Sequence, residues 1–154
     1  MLLALVIASG CAQTCDRPKR SAQCEAFLSL PRPRRVIEAK TFSTDKQIDM
    51  YLCSTTEAPP DRELAYQIAE RGDAAIPLVV GRLMAEKDEL DQKNLIYALE
   101  IMSDKGHLRN RKDVIAQISK VIDEMKIQPF KEDSLEMLKR IEINSGIKPF
   151  TYKP

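Results

Sequence analysis

A single histidine, four cysteines, one acidic run and one Arg-Gly-Asp triplet are the features of this sequence whose residue types could do chemistry. His107 stands in a polar stretch beside Arg109, Arg111 and Lys112, and no Cys, Ser or acid is spaced from it in sequence as a nucleophile or orienting carboxylate would be. A solvated loop histidine is the expectation. Cys11, Cys15 and Cys24 are separated by three and eight residues, which is not the paired spacing of a zinc site, and one histidine cannot complete a multi-His centre. The run Glu86-Lys87-Asp88-Glu89-Leu90-Asp91 lacks the alternating ligands and central glycine of a calcium loop and reads as an acidic turn capping the helix that follows. Arg71-Gly72-Asp73 spells an adhesion tripeptide, yet a glycine closing one helix and an aspartate capping the next explain it. The sequence holds no GxSxG, no glycine-rich phosphate loop and no HExxH. No catalytic residue, metal ligand or cofactor is therefore assigned, and no small-molecule substrate is evident.

The elements that must position these residues follow from composition and spacing. The chain has 154 residues, 31% charged and 44% hydrophobic, with 24 Lys plus Arg against 23 Asp plus Glu. That describes one soluble domain, or one domain with a tail, and excludes a polytopic membrane protein and a wholly disordered chain. Near-neutral charge offers no field for gripping nucleic acid. From residue 61 onward the apolar residues follow a helical rhythm, with no useful run of strand alternation. A helix over 61–71 carries Leu64, Ala65, Ile68 and Ala69 and ends at Gly72. A second, opening at Asp73 with Pro77 in its first turn, buries Ile76, Val79, Val80, Leu83 and Met84. The third, 91–103, has Leu95, Ile96, Leu99 and Met102. The fourth, 112–125, has Val114, Ile115, Ile118, Val121, Ile122 and Met125. Pro129 separates it from a fifth over 131–143, with Leu135, Leu138 and Ile141 as its stripe. Upstream, Thr44-Asp45-Lys46-Gln47 reads as a capping box opening a helix that buries Ile48, Tyr51 and Leu52. Residues 36–42 are expected to be extended, and 21–30 to form a short helix with Ser21 as N-cap. The fold class is all-α.

The N-terminus carries a resemblance. Residues 1–7 (MLLALVI) form an unbroken apolar run, too short to span a bilayer but long enough for the core of a signal peptide. The Ala8-Ser9-Gly10-Cys11 ending resembles the lipobox of bacterial lipoproteins, which implies removal of residues 1–10, lipid on Cys11, and anchorage on the periplasmic side of the cell envelope. Plain secretion is the alternative. With Cys11 lipidated, three thiols remain for an oxidising compartment. Cys15 would then lie beside the membrane, which favours Cys24 with Cys53 as the disulfide. Residues 11–43 read as a basic, proline-containing tether, since 16–40 hold seven basic against three acidic side chains. Such a tether either meets anionic headgroups or is a solvated linker.

Residues 68–83 (IAERGDAAIPLVVGRL) resemble a HEAT repeat, with a Gly-Asp turn and Ala-Ile-Pro-Leu opening the second helix; 92–102 (QKNLIYALEIM) resemble the first helix of the next repeat. The resemblance implies that 44–146 form a helical-repeat domain, a short stack of antiparallel helical hairpins of HEAT/armadillo type, before an irregular tail over 147–154. An irregular helical bundle is the alternative. Function then divides into classes. The first is a non-enzymatic protein–protein interaction module, its partner unspecified, with Gln92, Lys93, Tyr97 and Glu100 as the candidate binding face and Tyr97 as anchor. The second is a small hydrolase or enzyme accessory subunit whose site is assembled from distant residues. The third is a structural lipoprotein without a discrete partner.

Overall fold

A computed structural model of the chain describes residues 21–57 and 60–147. Cys11, Cys15, the apolar run 1–7 and the tail from 148 onward lie outside the described residues. Among those described the structure is all-α, with eight α-helices: α1 (Ala22–Leu28), α2 (Arg32–Ala39), α3 (Thr44–Ser54), α4 (Glu63–Glu70), α5 (Ile76–Ala85), α6 (Glu89–Asp104), α7 (Lys112–Glu124) and α8 (Gln128–Asn144), with a 3-10 turn, Gly72–Ala75, between α4 and α5.

Local signals account for most boundaries. Ser21 caps α1 by accepting from the Cys24 amide at 3.2 Å. The helix after the acidic turn is capped as its sequence suggests, Asp88 accepting from the amides of Leu90 and Asp91. Pro77 and Pro129 both occupy the first turn of a helix, where a missing N–H costs nothing. Pro129 therefore opens α8 rather than preceding it. The capping box does not form: Ser43, not Thr44, is the N-cap of α3, accepting from the Lys46 amide, and the Gln47 side chain donates to the Ala39 carbonyl instead. Asp73 does not cap a helix; its carboxylate reaches His107 instead.

The largest departure is α2. Residues 36–42, read as extended, are helical up to Ala39, because Pro31 and Pro33 fall at the helix start and tertiary partners complete its far end. The last carbonyls of a helix have no partners of their own. Here Gln67 of α4 donates to the Val36 carbonyl at 2.5 Å and Gln47 of α3 to the Ala39 carbonyl at 2.7 Å. Within the stretch read as a tether, α1 packs on α3 and α2 on α4, and Phe27 and Ala39 reach the common core.

Helix α6 lies at the centre, against α3, α4, α5 and α8, and Leu95, Ile96, Ala98, Leu99 and Met102 are fully buried in it. Helix α5 also packs on α7, and α7 on α8. Two residues assigned to buried stripes are on the surface, Met84 and Leu135, each 38% exposed. The α8 stripe is carried by Ser134, Met137, Leu138 and Ile141, so the true face is rotated off Leu135. Cys24 and Cys53 form a disulfide between α1 and α3, with a Cα–Cα distance of 5.9 Å. Beside it, the buried Arg35 guanidinium donates to the Leu30 carbonyl at 2.8 Å, to the Leu28 carbonyl, and to both carboxylate oxygens of Glu57 at 2.6 and 3.1 Å. One side chain thereby ties the α1–α2 corner to the segment following α3. No helix among the described residues is long and apolar enough to cross a membrane.

Candidate functional site

Helices α6 and α8 run side by side, and the segment leading into α4 closes over one end of their seam. The result is a cleft of about 880 Å³. Helix α6 contributes Leu90, Lys93, Asn94, Tyr97 and Glu100, spaced three and four residues apart as one helical face must be; α8 contributes Asp133, Glu136, Met137 and Arg140 at the same spacing. Glu57, Pro60 and Arg62 form the third wall.

Three of the four proposed binding residues come together here. Lys93, Tyr97 and Glu100 line the cleft, whereas Gln92 turns away and donates to the Glu86 carbonyl at 2.9 Å. Tyr97 is half-buried, packed on the core along one edge. The Arg62 guanidinium carbon sits 5.3 Å from the centre of its ring, within cation–π range. Burial first, then the neighbouring Tyr66 phenol and the Glu100 charge push the Tyr97 phenol upward, with Arg62 partly opposing, so it stays a neutral donor at physiological pH. Glu100, expected at the surface, is only 9% exposed because Arg140 of α8 folds over it and donates to both carboxylate oxygens. Lys93 lies 3.3 Å from Asp133 and 5.1 Å from the centre of the Phe130 ring. The cleft is thus built of internally paired charges around one aromatic ring.

Sequence spacing missed Arg62, Asp133 and Arg140, since each meets α6 from a different part of the chain. The one available signal was the three-four spacing of polar residues Asp133, Glu136 and Arg140 on the seam side of α8.

A second cleft of about 950 Å³ lies under the disulfide, lined in part by Cys24, Cys53, Asp49, Arg82, Glu86 and Asp91. Its acids have structural occupations: Asp49 accepts from Arg82, the Glu86 carboxylate from the amides of Lys87 and Asp88, and Asp91 from the Thr55 hydroxyl at 2.8 Å.

No protein-family model matches the chain, and no curated protein or solved structure matches it.

His107 has acquired a partner that its sequence neighbours did not announce. Its Nδ1 lies 3.0 Å from the Asp73 carboxylate, and its ring stands over Gly72. Gly72 has φ +65°, so the glycine serves the left-handed turn, and a Cβ there would meet the ring only at 3.4 Å, an ordinary contact. Arg71 of the same triplet is engaged with the Gln47 side chain and the Lys40 and Phe42 carbonyls. The triplet is a structural corner. Neither large cleft is lined by His107. Among the described residues no group of three or more His, Cys, Asp or Glu side chains is placed to hold a metal ion.

Proposed function

We propose that this protein is a non-enzymatic interaction module that captures another protein on the α6–α8 seam and is held at the bacterial cell envelope by lipid on Cys11. The observation that carries the binding half is Tyr97: a half-buried aromatic in an open cleft, with Arg62 stacked on it and charged pairs around it. Tyrosine and arginine dominate interface energies when they sit centrally with a polar rim, because they offer large contact area at small entropic cost. The anchoring half rests on the Ala8-Ser9-Gly10-Cys11 resemblance, and the disulfide fits an oxidising compartment. The order of packing supports a helical-repeat reading of the body. From α3 onward, α3 meets α4, α5 and α6, α4 meets α6, α5 meets α6 and α7, and α8 meets α6 and α7, an order close to that of stacked two-helix units.

The test is crosslinking capture from intact envelopes with the wild-type chain and with Tyr97→Ala. The variant should keep its helical circular dichroism and lose less than about 1.5 kcal/mol of stability, since the ring is only partly buried, while losing the capture that the wild type shows. Unchanged capture, or unfolding of the variant, would put Tyr97 in the core and the proposed face elsewhere. Mass spectrometry of the mature N-terminus checks the anchor: an intact Met1 sinks it. The hydrolase or accessory-subunit reading has one supporting contact, His107 with Asp73; it requires a reaction that His107→Ala abolishes while leaving the fold intact.

A further inference from the structure

One cation of the α6–α8 cleft is not paired with an acid, and that cation says what the cleft would hold. Four carboxylates line it, and each is already tied to a cation: Glu57 to Arg35 and Arg32, Glu100 to Arg140, Asp133 to Lys93, and Glu136 to Lys139. Two of the cleft's three cations, Lys93 and Arg140, are used in those pairs. Arg62 is different. Among the described residues its guanidinium makes no hydrogen bond or ion pair; its contact is the face of the Tyr97 ring. Stacking leaves the edge of a guanidinium free, and that edge is a planar fork of N–H donors matched to the two oxygens of a carboxylate. The ring also restricts the side chain, so less entropy is lost when the fork is filled.

Resting on the reading of this cleft as the binding face, we infer that Arg62 receives an aspartate or glutamate carboxylate from an extended peptide segment of the partner. The apolar walls beside it, Met137, Leu90 and Pro60, receive a neighbouring apolar side chain of the same segment. The paired carboxylates around the cleft select the charge of the guest. The two oxygens of a carboxylate are both met by the Arg62 fork, whereas a phosphate would keep further charged oxygens facing Glu57 and Glu100, with no second uncommitted cation among the lining residues to meet them. The phenol of Tyr97 stays protonated and can donate to the incoming oxygen.

The test is display of a random peptide library against the full wild-type chain, followed by affinity measurement of the selected peptides against wild type, Arg62→Gln, Arg62→Lys and Tyr97→Ala. Arg62 is an exposed side chain, so its substitutions leave the core untouched. Selected peptides should share an Asp or Glu at one position next to an apolar residue. Replacing that acid by its amide should weaken binding at least tenfold. Arg62→Gln should cause a similar loss, Arg62→Lys a smaller one, and inorganic phosphate should not compete at concentrations where an acetate-capped acidic tripeptide does. Peptides that lose binding on Tyr97→Ala yet bind Arg62→Gln as tightly as wild type overturn the carboxylate and keep the cleft. Effective competition by phosphate overturns the choice of a carboxylate. No selected peptides, or peptides indifferent to both substitutions, overturn the inference and the platform reading together.

Discussion

Replacing both Cys24 and Cys53 by alanine should remove a large share of the stability of the whole domain, and its size follows from the loop they close. The two cysteines are 29 residues apart. Cross-linking a loop of about that length withdraws roughly 12 cal/mol/K from the unfolded chain, or about 3.5 kcal/mol at 25 °C. Small domains are stable by only about 5–15 kcal/mol, so the loss would be conspicuous. The assay is urea unfolding of the oxidised wild type and the double variant, followed by circular dichroism. With a typical slope of about 2 kcal/mol/M, the midpoint should fall by about 1.5–2 M, provided both transitions are two-state. A competing outcome is available, because α1 packs chiefly on α3 and is also held by burial of Phe27 and by Arg35 on the Leu28 carbonyl. If the disulfide served only to keep that short helix in place, its removal would free the amides of 22–28 to exchange while the midpoint stayed within about 0.5 M. That result, or two free thiols in the oxidised protein, refutes the loop-closure reasoning.

Arg35→Met should cost about 2–4 kcal/mol in the same urea assay, since it takes from the Glu57 carboxylate its closest cation, leaving Arg32 at 3.9 Å, and strands two backbone carbonyls that the guanidinium met. Glu57→Gln should cost less because the carbonyl bonds remain, and equal losses would show that the carbonyls do not matter. The Asp104 carboxyl is held above the ordinary carboxylate range, first by burial and then by the Glu100 charge, with the Asn144 side chain and Arg140 partly opposing the shift. A raised acid is penalised when ionised, so the native state binds more protons than the unfolded chain and this contribution to stability falls as pH rises through the native pKa. Asp104→Asn should therefore gain stability over wild type at pH 7 and lose that advantage near pH 3; an advantage that grows with acidity contradicts the sign.

How far the fold was legible depended on whether a helix is specified by its own residues. Helix α7 was read within a residue of its observed end, because six apolar side chains at helical spacing are enough to define its buried face. Helix α6 was legible for the same reason, helped by Asp88 as its cap. Helix α2 was not, since half of its residues are charged and it begins among prolines; two of its last carbonyls are met by Gln47 and Gln67, whose side chains arrive from α3 and α4. The start of α8 is a similar case. The amides of the two residues that lead into it are met by a carboxylate from the start of α6, Glu89, which accepts from Lys126 and Ile127 at 2.9 and 2.8 Å. Nothing near residue 128 signals that partner.

The candidate site divides along the same line. Lys93, Tyr97 and Glu100 could be grouped from sequence because they share one face of one helix, and spacing reports faces. Spacing does not report what covers a face. Glu100 was placed in solvent because a glutamate on an amphipathic helix is usually there, but Arg140, 40 residues later, turns it into half of a sheltered ion pair. Arg62 drew no reading from sequence, although its position over Tyr97 separates it from the paired cations of the cleft. Both cases concern charge compensation, which is decided by pairs of residues far apart in the chain. The helix face was therefore readable in advance, but the chemistry of the guest it would accept depends on which cation is left without an acid, and that became visible only once α4, α6 and α8 were brought together.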